Sequence, residues 1–200
     1  EAFFVNEKIE ESSAIKLNNI SFKYFGSDES LFENLELSLE KNLHTVITGD
    51  NGSGKSTLLG LITGILIPEK GSVEVFSNKF AYVGATPLII KGNLKENLMY
   101  GNNTKIEDNE IIELVRSYNL FTEEEPNVLE KQISNKSLSS GQMQKISFIR
   151  AMLSKPEILI LDESTSNLDF DSRKLINHEL KKSDITIINS THSIGEIEYD

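Results

Sequence analysis

The chain has 200 residues, 38% apolar and 26% charged, with a net charge of −11 and no cysteine. That length gives room for one sizeable core, and the composition excludes a disulfide framework or a thiolate metal site and fits a reducing compartment. The acidic balance, with no cluster of Lys or Arg, argues against nucleic acid as a partner. No apolar run approaches membrane-spanning length and no signal peptide is visible. The first residue is Glu1 rather than Met, so a longer polypeptide is expected, with any membrane part outside these residues.

Residues 1–13 mix Phe3, Phe4, Val5 and Ile9 with acids and are expected to be a linker or the end of a preceding helix. Residues 14–17 and 20–24 alternate apolar and polar side chains, as half-buried strands do. A turn over 26–30 leads to a further alternating run at 31–39, and Lys41-Asn42 turns into residues 44–48, read as a buried strand. A helix is predicted from 55 to about 66, stopped by Pro68. Strands follow at 72–76 and 79–83, then a short helix at 93–100 broken by Gly101. Ile111, Ile112, Leu114, Val115 and Tyr118 recur at helical spacing over 107–119. Residues 122–136 are acidic, then polar, and read as loop. Ile146, Ile149, Met152 and Leu153 mark a helix over 141–153. The continuous apolar run 158–161, a helix at 171–181 and the run 185–189 complete a strand–helix–strand alternation. That alternation predicts a parallel sheet with helical crossovers.

Chemistry concentrates first at Gly49-Asp50-Asn51-Gly52-Ser53-Gly54-Lys55-Ser56-Thr57. This is a G-x-x-x-x-G-K-[ST] phosphate loop in the setting that pattern requires, a strand before and a helix after. Glycines let the backbone wrap a phosphate chain with its N–H groups inward, and the helix presents its positive dipole end to the same phosphates. Lys55 can reach the outer phosphates and Ser56 can offer a hydroxyl to Mg²⁺. Asp162 and Glu163 follow the apolar run 158–161, at a strand end of the kind that faces the ligand crevice of such sheets. Alone they would be two acids capping a strand. Beside a phosphate loop, Asp162 is placed to hold Mg²⁺ with Ser56, and Glu163 to polarise a water attacking the γ-phosphate.

Leu138-Ser139-Ser140-Gly141-Gln142, just before the helix at Met143, resembles the L-S-G-G-Q signature of ABC ATPases, with Ser140 in place of the first Gly. By itself, Ser139-Ser140-Gly141 reads as a helix N-cap. The surrounding residues resemble the family too. Ile158 to Asp169 (I-L-I-L-D-E-S-T-S-N-L-D) is similar to its Walker B and D-loop run. The resemblance implies that Ser139, Ser140, Gly141 and Gln142 complete the nucleotide site of a second domain. It also implies that Tyr24 stacks on adenine, that His192 is the switch histidine at the γ-phosphate, and that Asp169 is the D-loop acid. Read without it, Tyr24 is a strand aromatic and His192 a structural histidine, as His44 and His178 are. One position departs. Residues 81–87 resemble Y-V-P-Q-x-P, but Ala85 stands where the family has a glutamine that positions Mg²⁺ and water and couples to the transmembrane partner.

Within the family, residues 91–98 look like the G-T-I-x-x-N-I stretch of exporters, whereas 130–137 departs from the exporter pattern. The expectation is an α/β fold: a P-loop NTPase with a RecA-like core and a mainly parallel sheet, an antiparallel β portion, and a helical subdomain at about 88–155. The domain would occupy residues 14–200 and stop short after the switch histidine. The resemblance implies Mg-ATP binding and hydrolysis, with ATP and Mg²⁺ as ligands. The implied partners are a second nucleotide-binding domain, as homodimer or heterodimer, and a transmembrane domain fused N-terminally, at the cytoplasmic face of a membrane. Ala85 keeps open a regulatory or gating module with weak turnover. A soluble ABC ATPase of translation or DNA repair is a further alternative, though basic surface and long inserts are not visible. A non-ABC phosphate-loop kinase or GTPase would leave residues 138–142 unexplained.

Overall fold

The computed structural model describes residues 12–121 and 126–192. In chain order the elements are β1 (Ser13–Phe22), β2 (Phe32–Glu40), β3 (His44–Thr48), α1 (Lys55–Ile62), β4 (Lys70–Val75), β5 (Phe80–Gly84), β6 (Gly92–Asn93), α2 (Leu94–Leu98), α3 (Asp108–Ser117), a 3-10 turn (Val128–Glu130), β7 (Gln132–Ile133), α4 (Ser140–Leu153), β8 (Ile158–Asp162), α5 (Phe170–Lys181) and β9 (Thr186–Thr191). The fold is α/β, with parallel and antiparallel strands both present. They group into two compact units. One comprises residues up to Phe80 with 157–162 and the residues from Ile185 on; the other comprises 81–156 and 163–184. The linker reading of residues 1–13 lies outside the described residues except at its last two positions.

In the first unit β1 pairs antiparallel with both β2 and β4, in the order β2-β1-β4. The alternating residues predicted two strands where there is one, and the break between them is a bulge. Asn19 takes φ 50, the pairing to β2 shifts between Leu17 and Ile20, and the pairing to β4 shifts after Asn18. Gly71 makes this possible, because a Cβ there would lie 2.4 Å from the Asn18 carbonyl oxygen. β3, β9 and β8 run parallel in that order, with Asp162 of β8 opposite Ser190 of β9. Alternating positions of β1 and β4 (Ile15, Leu17, Val73, Val75) share one core with Leu59, Leu61 and Ile62 of α1, Ile158 and Ile160 of β8 and Ile188 of β9. Each such side chain contributes roughly 1.5–3 kcal/mol by leaving water.

Two expectations need correcting here. Residues 44–48 were expected as a buried strand, yet β3 is only half-buried, because β9 is its one strand neighbour among the described residues. Helix α1 ends at Ile62 rather than near 66. Gly64 turns the chain with φ 72, and the Leu66 amide reaches back to the Gly60 carbonyl at 2.9 Å.

In the second unit, α2 begins in a capping box: Asn93 Oδ1 accepts from the Glu96 amide and Glu96 Oε2 from the Asn93 amide. Asn97, fully buried, spends its amide on the backbone of Ile90 and Asn93. Arg150 of α4 donates to the carbonyls of Asn97 (2.8 Å) and Leu88 (2.9 Å), and burial lowers its pKa. β6 and β7 form a two-residue antiparallel pair inside stretches read as helix start and loop.

Candidate functional site

The phosphate loop joins β3 to α1 in the first unit. Gly52 and Gly54 take φ 83 and φ 95, conformations that L side chains rarely adopt. Gly54 is also crowded, since a Cβ would stand 3.1 Å from Phe32 Cζ. Gly49 is tight as well, at 2.8 Å from Ser53 Oγ to such a Cβ, while the Ser53 amide closes a turn on the Asp50 carbonyl. Asp50, Asn51, Gly52 and Ser53 are exposed. Gly54 is the N-cap of α1 and no side chain caps that helix, so its first amides are left for a ligand.

Lys55 is 7% exposed, and its Nζ donates to the carbonyls of Gly49 (2.7 Å) and Asp50 (3.0 Å). The ammonium is thereby folded over the loop that an anion would enter. A phosphate offers a stronger partner than a neutral carbonyl. One residue on, the exposed Ser56 hydroxyl donates to Asp162 Oδ1 at 3.2 Å, across 106 residues of sequence. A hydroxyl and a carboxylate meeting at a phosphate loop fit a hard cation that takes few protein ligands and keeps its others from water and phosphate. The same Asp162 oxygen accepts a second hydroxyl, Ser190 Oγ at 2.5 Å. Sequence reasoning missed Ser190. The signal was its place at the end of an apolar strand, level with Asp162 once the two strands pair in parallel.

Tyr24 is half exposed, with its hydroxyl 2.6 Å from Thr57 Oγ1 and its ring edge-on to Phe22 at 5.1 Å. The buried Thr57 thus ties an aromatic face to the first turn of the phosphate-loop helix. His192 is exposed and directly follows β9.

The remaining predicted residues belong to the second unit. Glu163 follows β8 in a left-handed conformation (φ 50), and its carbonyl accepts from the Ser166 hydroxyl at 2.9 Å. Ser139 caps α4: its Oγ accepts from the Gln142 amide (3.1 Å) while Gln142 Oε1 accepts from the Ser139 amide (2.9 Å). Ser140 and Gly141 are the first residues of that helix. Asp169 caps α5, accepting from the Ser172 amide (2.8 Å) and hydroxyl (3.0 Å), and the amide bond foremost holds its carboxyl below the usual range. Ala85 offers only backbone, and its carbonyl accepts from Asn167 Nδ2 at 3.0 Å. The preceding carbonyl, of Gly84, accepts from Nε2 of Gln144, a fully buried residue of α4. Neither amide was singled out from the sequence, because nothing local distinguishes them from surface residues.

Comparison with known proteins identifies the family. Residues 32–166 match the sequence model of the ABC transporter family. The chain is 33% identical to ABC transporter B family member 17 of Arabidopsis thaliana, over 98% of this chain and 17% of that protein. It is 31% identical to the ATP-dependent permease MDL1 of Candida albicans, over 97% of this chain and 32% of the relative. It is 32% identical to the lactococcin-A transport/processing ATP-binding protein LcnC of Lactococcus lactis, over 92% and 28%. The chain therefore spans a third or less of the length of these relatives. The matched residues run from β2 through the phosphate loop and the α4 cap to Asp162 and Glu163, and the chain belongs to the ABC transporter family as a nucleotide-binding ATPase domain.

Proposed function

We propose that this domain binds Mg-ATP at residues 49–57 and hydrolyses it to drive export by a membrane partner. The observation that carries this is the convergence of Lys55, Ser56 and Asp162 on one exposed loop mouth. Gly49, Asn51, Gly52, Ser53, Gly54 and Thr57 would surround the phosphates with backbone amides and the α1 N-terminus, and Tyr24 would carry the base on its exposed face. Ser56 and Asp162 would hold magnesium, which when bound neutralises charge on the transferring phosphate. Glu163 would orient the attacking water and accept its proton, and His192 would donate to the γ-phosphate. Ser139, Ser140, Gly141 and Gln142 would serve the nucleotide of a second such domain, in a homodimer or heterodimer, with Asp169 beside them as the D-loop acid. Residues 88–155 would form the helical subdomain. No helix among the described residues is long and apolar enough to cross a membrane. The membrane partner would be fused before residue 1 at the cytoplasmic face of a membrane; the likeness to a B family transporter, a permease and a transport/processing protein supports a membrane partner.

Glu163→Gln is expected to lower Mg-dependent ATP turnover by about 100-fold or more while nucleotide still binds. Unchanged turnover in that variant removes Glu163 from the mechanism. A second reading, a gating module with slow turnover, is favoured by Ala85, which has no side chain to place water or metal. A parent protein with Mg-ATP affinity but no turnover in any assembly would select it.

A further inference from the structure

We propose that Ser190 is a positioning residue for the divalent cation of this site, holding Asp162 in the orientation that faces Ser56. This rests on the reading of Ser56 and Asp162 as the metal pair. Ser190 is fully buried. Its backbone is fixed from both sides, level with Asp162 of β8 and with Ile47 of β3. Its hydroxyl therefore has no water to turn to, and it donates to Asp162 Oδ1. Ser56, by contrast, is exposed and donates to the same oxygen at 3.2 Å.

The two bonds differ in how firmly they are set. Ser56 could offer an oxygen lone pair to a metal with or without its proton on Asp162, and being exposed it can also turn that proton to solvent. Ser190, buried and laddered on both sides, has no such alternative, so its bond would keep the carboxylate aimed whichever way the Ser56 proton points. A ligand oriented by an outer partner binds metal more tightly, and removing such a partner costs roughly 10–100-fold in affinity. The tertiary reason is the parallel register: Asp162 and Ser190 are the last pair of that ladder before both strands end at the loop mouth.

The test is a titration of Mn²⁺ into the ATP-saturated full-length protein, with free Mn²⁺ read by electron paramagnetic resonance. Ser190→Ala is expected to bind Mn²⁺ about 10-fold more weakly, with metal-free ATP affinity at the parental value. Parental Mn²⁺ affinity in Ser190→Ala overturns the proposal. An equal loss of metal-free ATP binding also overturns it, since the residue would then be shaping the loop rather than the metal ligand. Asp162→Asn separates the two levels. If it leaves Mn²⁺ affinity intact, the metal pair itself falls and the proposal with it; if it weakens Mn²⁺ binding while Ser190→Ala does not, only the proposal falls. Should Ser190→Ala fail to fold, Ser190→Cys, nearly isosteric with a weaker donor, replaces it: weaker Mn²⁺ binding supports the proposal and parental binding overturns it.

Discussion

Two helix N-termini in this domain are built for opposite states. At α1 the N-cap is Gly54, in a left-handed conformation and with no capping side chain. At α4 the N-cap is Ser139, locked in a reciprocal box with Gln142. Both ends present amides and a positive dipole. An anion at α1 displaces no internal side-chain cap, and the ammonium of Lys55 is already folded over the loop. An anion that takes the Gln142 amide at α4 must first displace the Ser139 hydroxyl oxygen, a cap whose loss costs roughly 0.5–2 kcal/mol. On the proposed function, the difference predicts an order of events: the phosphate loop would fill on its own, and the Gln142 amide at α4 would engage a phosphate only where something further offsets the lost cap.

The largest effect should come from the open end. Lys55→Ala removes a charge-assisted contact to phosphate and is expected to weaken ATP binding about 10–100-fold, read by fluorescent-nucleotide titration. Parental affinity would mean that the ammonium never leaves the carbonyls of Gly49 and Asp50. Ser139→Ala opens the other end. Loss of its cap should lower the unfolding midpoint by about 2–4 °C, roughly 1 kcal/mol, in a calorimetric scan of nucleotide-free protein. A midpoint that does not move would show that the two ends are energetically alike. Gln142→Ala removes the reciprocal half of the box together with a long bond from Nε2 to the Leu120 carbonyl (3.4 Å), and should shift the midpoint least, by about 1–2 °C. A shift larger than that of Ser139→Ala would move the weight of the cap from the hydroxyl to the amide.

Much of the α4 cap could be read locally, because Ser139 and Gln142 are three residues apart and the box is complete within one turn. The same holds for α2, where Asn93 and Glu96 stand at the same spacing. Local spacing was less informative wherever the partner is distant. The bulge at Asn19 needs Gly71, and the β6–β7 pair joins Gly92 to Ile133, distant in sequence and in stretches that read as helix and loop. The end of α1 was placed too late because apolar residues continue beyond Gly64, yet Leu66 packs back over Gly60 instead of extending the helix.

The segment at Ala85 shows the same limit at the site. The sequence reports a missing side chain there. It does not report that Gln144 and Asn167 hold the carbonyls of Gly84 and Ala85, so that this stretch is positioned through its backbone. Side-chain identity is printed in the sequence, whereas a carbonyl's partner depends on which amide folding brings within reach.

The sequence by itself determined the chemistry on offer: a glycine-rich turn that must take positive φ at Gly52 and Gly54, a lysine and a hydroxyl at its end, two acids after an apolar strand, and a capped helix at Ser139. These are local facts, set by backbone sterics and by side chains within one turn of each other. Only the tertiary structure decided which of them meet. Ser56, Asp162 and Ser190 converge on one carboxylate oxygen because β8 and β9 pair in parallel at a single register and α1 packs on the core they share. A register one residue away would turn Ser190 to the opposite face, so it is burial of the apolar strand faces that sets how Asp162 is held.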